Sequence, residues 1–316
     1  MCKTDTPKLS LEDEIARTYY PRHFYFSKEK ASAAYLIPLN DKVEAIAKKA
    51  LKARAENPDT RLPPHILLHK DGAFVYPKRY FFLPVFFTLF AAWLVTLTPN
   101  LFVLLVSVLL CYFEYDLYSG VLHIVLDDPK NLGKSNYIME AIMFQGCLEF
   151  QWHHEIPRDI VEKGILSSCA DLNVAVVANV AAIFAVVGGP LSSPDNRLFW
   201  SLLGVKLFYG YFGQINHAMA HRAAADRPAV VQALQNASIM LDQKKHNSHH
   251  RTYDENFCLL GQMDWAVHLI DRCIPKFEQR HYVWFAIWML MSVFSLSMVI
   301  KPIVIKTAEL AGFPAF

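Results

Sequence analysis

Eight of the thirteen histidines fall into four groups: His123; His153 with His154; His217 with His221; and His246, His249 and His250. In "INHAMAHR" the two histidines are i and i+4, so both leave one face of a helix. In "KKHNSHHRTY" the three stand at i, i+3 and i+4, again one face, and His123 with Asp127 repeats the i, i+4 step. Imidazole suits zinc, copper, nickel and iron. A tetrahedral zinc takes four ligands, so eight imidazoles are too many for one such ion and fit two metals better. A two-iron centre can activate O2 and remove hydrogen from an unactivated C–H bond, and lipid chains supply such bonds. "HHEIP" is not H-E-x-x-H, so the ligand geometry of a zinc protease is absent, and there is neither G-x-G-x-x-G nor a phosphate-binding loop. Electrons would have to come from another protein. Lys244, Lys245 and Arg251 crowd the last histidine group. They could bind lipid phosphate or an acidic electron donor, or be ordinary membrane-side charge. His23, His65, His69, His268 and His281 are isolated; the last two read as packing or hydrogen-bonding residues.

Such side chains need a scaffold, and the composition says which kind. Hydrophobic residues make up 53% of the 316 and charged residues only 19%. The apolar residues collect in five runs of roughly membrane-crossing length: 80–98, 101–126, 172–191, 197–217 and 282–300. The fold expected is an all-α integral membrane protein of about five transmembrane helices with a histidine-rich two-metal site on its cytoplasmic side. "PN" at 99–100 joins the first two runs as a tight antiparallel hairpin. Of the 31 Lys and Arg, 15 precede residue 80, four lie between 127 and 171, and eight between 218 and 281. By the positive-inside rule those three segments face the cytoplasm. All four histidine groups fall in these segments or at span ends bordering them. The sequon at Asn236 is then cytoplasmic and unglycosylated. Lys206 lies within the fourth run, where it either snorkels or faces a polar cavity.

Three regions follow: a cytoplasmic segment 1–79, a membrane domain 80–281, and an additional span with its tail, 282–316. Within the first, 41–57 reads as an amphipathic helix with Lys48, Lys49, Lys52 and Arg54 around an apolar face. It suits an anionic membrane surface or packing on its own domain. The N-terminus lacks the apolar stretch of a signal peptide and carries acids early, unlike a transit peptide. That favours the endoplasmic reticulum membrane. The six cysteines are scattered without a C-x-x-C, so no disulfide framework is expected. A net charge of +2 gives no reason to expect nucleic acid. From the residues alone, two classes stand: a redox enzyme and a metal-binding membrane carrier. Ionisable residues deep in several spans would favour the carrier, and the reading counts only Lys206 as deep.

"DLYSGVLHIVLDD", "EFQWHHEIPRDI", "INHAMAHR", "PAVVQALQNASIMLDQKKHNSHH" and "NFCLLGQMDW" together resemble the Kua-type lipid desaturase family in order and spacing, over roughly residues 80 to 272. Plasmanylethanolamine desaturase and the chloroplast phosphatidylglycerol trans-desaturase are members. The resemblance implies a membrane di-iron desaturase that uses O2, with His123, His153, His154, His217, His221, His246, His249 and His250 as ligands. It makes Asp127 a candidate ligand or supporting group, and Asp116, Asn216 and Asp264 candidates beside the site. For the plasmanylethanolamine branch it implies formation of a vinyl ether from the 1-O-alkyl chain of a phospholipid, with electrons from cytochrome b5 and its reductase. An acyl-chain desaturase or a lipid hydroxylase is the alternative within the same chemistry. The chain departs from the family pattern at Ala218, Met219 and Ala220 between the paired histidines, and at Asp264, where the family tends to carry Asn.

Overall fold

The computed structural model describes residues 81–128, 146–147, 150, 153–154, 159–162, 164–252, 255–277 and 279–313, together with Glu56. The N-terminal segment 1–79, with its expected amphipathic helix, lies outside the described residues apart from Glu56.

Every regular element among the described residues is helical. In chain order they are α1 (Phe82–Val95), α2 (Leu101–Asp127), α3 (Asp159–Glu162), α4 (Ile165–Ala170), α5 (Asn173–Val186) and α6 (Pro194–His221). A 3-10 turn at Ala224–Asp226 leads to α7 (Ala229–Asn236), α8 (Gln243–Thr252), α9 (Asp264–Cys273) and α10 (Arg280–Ser295). A π-helical segment, Leu296–Ile300, joins α10 to α11 (Lys301–Leu310).

The local chemistry explains the boundaries. Asn100 caps α2, its side chain accepting the Val103 N–H at 2.9 Å. Five residues, 96–100, separate α1 from α2 where a two-residue turn was expected, and α1 packs on α6 instead of forming a tight hairpin with α2. Pro194 occupies the first turn of α6, where its missing N–H costs nothing, and Asp195 follows it. The helix therefore starts before the apolar run does. Pro302 breaks the i to i−4 ladder after α10, and the π segment absorbs the mismatch without ending the helix.

Among the described residues two helices are long and apolar enough to cross a membrane: α2, with 27 residues, and the continuous Arg280–Leu310, with 31. These are the second and fifth expected spans, the fifth running ten residues further than its apolar run. The first and third runs make helices of 14 residues each, about 21 Å at 1.5 Å per residue. That is short of a 30 Å hydrocarbon core. α6 is 28 residues long, but its polar residues (Lys206, Gln214, Asn216, His217) keep it below the same apolarity.

The long helices α2 and α6 pack on each other, α1 lies along α6, and α10 and α11 lie along α2. Gly204 lets α1 and α6 approach: a Cβ there would stand 2.7 Å from the Ala91 carbonyl oxygen. One apolar core gathers Leu94, Val103, Leu202, Leu203, Leu296 and Val304. A second, nearer the histidines, gathers Val121, Val125, Phe257, Cys258, Val267 and Trp288. Cys111 in α2, Cys169 in α4, and Cys147 and Cys258 outside these helices are free buried thiols, and Cys273 is free and exposed.

Candidate metal centre

The histidines converge at one end of α2 and α6. His123 and Asp127 come from the last turns of α2, His217 and His221 from the last turns of α6, and His246, His249 and His250 from α8. His153 and His154 sit on a helical pair in the connection between α2 and α3. The side chains form two groups. His153, His217, His221, His246 and His250 make one; His123, Asp127, His154 and His249 make the other. Within each, one potential ligand atom per residue lies within 4.8 Å of all the rest.

In the first group the Nε2 atoms of His221 and His246 are 2.7 Å apart, and those of His250 and His246 are 3.1 Å apart. In the second, Asp127 is the hub. Its Oδ1 is 2.8 Å from the His154 Nε2; its Oδ2 is 3.3 Å from the His249 Nε2 and 3.6 Å from the His123 Nε2. The groups touch: the rings of His154 and His250 are 4.6 Å apart, centre to centre. On its far side His249 turns Nδ1 to the Glu255 carbonyl, 2.9 Å away. A proton on Nδ1 leaves Nε2 as the atom that would hold a metal; when Nε2 is protonated as well, it donates to Asp127.

The donors fit metal ions. His153 and His217 are buried, and neither nitrogen of either ring has a hydrogen-bond partner. Buried polar atoms are almost always partnered. Orphaned ring nitrogens aimed into a cluster of other imidazoles are what a cation would satisfy. Burial, and then the surrounding histidines, hold His153, His246 and His250 well below the usual imidazole range, so they stay neutral and able to ligate. His249 goes the other way. Burial presses its pKa down, but the hydrogen bond and charge of Asp127 outweigh that and raise it.

Of the other expected residues, none lies in either group. Asp116 is fully buried, and its carboxylate accepts the N–H groups of Leu260 (2.7 Å), Gly261 (3.1 Å), Gln262 (2.6 Å) and Met263 (2.8 Å). Asn216 donates to the Leu259 carbonyl. Asp264 accepts the Cys258 N–H at 3.1 Å. All three therefore fasten one loop, 257–264. Gly261 within it has φ +82°, a left-handed conformation glycine adopts freely. The loop presents Phe257, whose ring lies 5.4 Å from His249 and 6.4 Å from His123. Phe150 closes another side, 5.1 Å from His123. Sequence reasoning passed over both aromatics, and only their nearness to histidine motifs could have marked them. His268 and His281 stay outside both groups.

Lys206 is not alone. Its Nζ is 2.6 Å from the Glu114 Oε1, donates to the Ser295 hydroxyl at 3.2 Å, and lies 4.4 Å from the centre of the Tyr118 ring. The expectation of a single deep ionisable residue is thus corrected: Glu114 is buried in α2 opposite it. The signal was present as a carboxylate inside the second apolar run.

A model of the lipid desaturase domain matches residues 112–274. That range holds all eight clustered histidines and Asp127, and leaves out α10 and α11. The chain is 27% identical over 157 residues to "Fatty acid desaturase 4-like 1, chloroplastic" of Arabidopsis thaliana, covering 48% of this chain and 49% of the relative. It is 26% identical over 151 residues to "Fatty acid desaturase 4, chloroplastic" of the same plant, covering 48% and 43%. The chain thus spans about half the length of the curated relatives it matches. No solved structure matches it.

Proposed function

This chain belongs to the lipid desaturase family, and from that premise we propose that it is an O2-dependent di-iron desaturase that converts the 1-O-alkyl chain of plasmanylethanolamine to the vinyl ether of a plasmalogen. The observation that carries the metal chemistry is the convergence of eight histidines and Asp127 into two touching groups. His153, His217, His221, His246 and His250 would hold one iron; His123, Asp127, His154 and His249 would hold the other. Iron there would supply the O2-dependent oxidising power to take two hydrogens from neighbouring carbons.

The chain's own residues do the rest. Burial keeps His153, His246 and His250 neutral and excludes water from an oxidising site. Asp127 brings negative charge to a cluster otherwise made of imidazoles, and stands within 3.6 Å of three of them. Phe150 and Phe257 give that end of the cluster apolar walls suited to a hydrocarbon. Forming one double bond takes two hydrogens from the chain; reducing one O2 to two waters takes these and two further electrons with two protons. Cytochrome b5 and its reductase are the proposed electron source. The setting proposed is the endoplasmic reticulum membrane, with the metal site at its cytoplasmic face.

One observation favours a second reading. Both relatives above carry the name of fatty acid desaturases, which points to an acyl chain as the substrate. Lipid analysis of cells that lack vinyl-ether lipids, with and without this chain, separates the two. Plasmenyl species that appear with the chain and vanish with His249→Ala support the ether reading. A new double bond confined to acyl chains replaces it with the second. No lipid change from a protein carrying two irons sinks both.

A further inference from the structure

α8 has a second working face. Its histidines point into the metal cluster, while Gln243, Lys244 and Arg251 line a cavity of about 890 Å³ between the 3-10 turn, α7 and α8. At 100° per residue the two faces are roughly 120° apart around the same helix. A cavity of that size is typical of small-molecule sites.

The lining is cationic. Arg227, Lys244 and Arg251 stand against one carboxylate, Asp242. Asp242 is committed to capping α8, its Oδ1 accepting the Lys245 N–H at 2.9 Å. Among the described residues none of the three cations has a carboxylate partner. Arg227 is half-buried, and its guanidinium is held by neutral groups only: it donates to the Gln235 side-chain oxygen and, at 3.3 Å, to that of Gln243. Its buried Nε–H has no partner. Uncompensated cations gathered in a concave site, one of them oriented by amides, are the arrangement that recognises a phosphate ester.

We propose that this cavity binds the phosphate of the substrate's glycerophospholipid head group. The inference deepens the reading above and rests on it for the substrate. Connectivity supports a head group over other phosphates. In a 1-O-alkyl phospholipid about six bonds, on the order of 8 Å, separate phosphorus from the first carbon of the alkyl chain. That is comparable with the 10–12 Å width of one helix with its side chains. A phosphate held on one side of α8 therefore leaves the reacting carbons within reach of the histidines on the neighbouring face. The side-chain amides of Gln232 and Asn236, which line the same cavity, would receive an ammonium or hydroxyl beyond the phosphate. A concave, amide-lined pocket suits a head group better than the broad surface an acidic protein would need.

The test is binding, not turnover. The purified full-length, metal-loaded chain is titrated with dihexanoyl glycerophosphoethanolamine, which has no ether chain to react, and separately with inorganic phosphate. The proposal expects saturable binding of the short lipid, weakened about tenfold or more in Lys244→Gln/Arg251→Gln, with metal content unchanged. Lys244 and Arg251 are both exposed, so this variant folds even if Arg227→Gln does not. Equal binding by wild type and variant overturns the proposal. So does inorganic phosphate that binds as tightly as the lipid, which would mark a free-anion site. Unchanged lipid binding with slowed reduction by the electron donor would make the face a protein dock instead. Because the titration reads binding and not turnover, failure of the desaturase reading shows separately, as charge-dependent binding of the short lipid by a chain that forms no new double bond in the cellular lipid analysis.

Discussion

Consecutive residues on a helix point about 100° apart, whereas residues four apart nearly align. That difference sorts the ligands. The i, i+4 pairs His217–His221, His246–His250 and His123–Asp127 each stay within one group, while the adjacent pairs His153–His154 and His249–His250 each split between the two. Two consecutive histidines are therefore the bridge between the two candidate metal positions. Asp127 is the sole carboxylate in either group, so Asp127→Asn tests the second position by charge with little change of shape. Metal analysis of the purified variant should give close to one iron instead of two. Desaturation should fall by more than the roughly 10–100-fold that losing an outer partner costs. His268→Ala, a histidine outside both groups, should keep its metal and its activity. A variant Asp127→Asn with full metal and full product would show that the second group is only a packed polar cluster.

At the scale of elements, the site depends on a loop that contributes no ligand. Residues 257–264 set Phe257 against His249 and His123, and a single carboxylate, Asp116, ties down four consecutive backbone N–H groups of that loop. Hydrogen bonds to a charged acceptor contribute about 1.5–3 kcal/mol each. Losing them together, with the donors still buried, should cost Asp116→Ala at least roughly 3 kcal/mol. The readout is a large fall in Tm of the detergent-solubilised protein, with metal lost on heating before the helices unfold. An unchanged Tm would mean that the loop is held by packing alone. Gly120→Val probes the same contact from α2, because any Cβ there would sit 2.6 Å from the Cys258 Sγ. The histidine spacings were legible in the sequence because helix periodicity is local: His217 and His221 face the same way wherever α6 goes. The role of Asp116 was not, because its partners are more than 140 residues away and a backbone N–H carries no sequence signal. The division of His249 from His250 was equally hidden. It depends on where α2 and α6 end, not on the spacing within α8.

Over the whole molecule, the outer surfaces of α1, α2 and α10–α11 are apolar and open: Phe82, Leu89, Leu101, Leu105, Leu109, Leu290 and Met298 are all more than half exposed. A surface like that is a liability in water and is what a bilayer would cover, which supports the proposed membrane setting. The interior then holds the costlier feature. Glu114 and Lys206 meet at 2.6 Å between α2 and α6, with Ser295 of α10 hydrogen-bonded to both. This one polar contact joins three helices, including the C-terminal one that lies outside the lipid desaturase match. Removing one member of a buried pair leaves the other charge uncompensated and typically costs about 3–5 kcal/mol, whereas replacing both is often close to neutral. Lys206→Met alone should therefore lower Tm sharply, and Lys206→Met with Glu114→Gln should recover most of the loss. Lipid turnover then separates the roles of the pair. If the double variant is stable and makes product at the wild-type rate, the pair only pins α10 to the bundle. If it is stable but makes less product, with its two irons intact, the pair and the C-terminal helix it holds help shape the space the lipid chain occupies. A single Lys206→Met variant as stable as the parent would mean that water or lipid head groups already reach the pair, and that this part of the bundle is not closed.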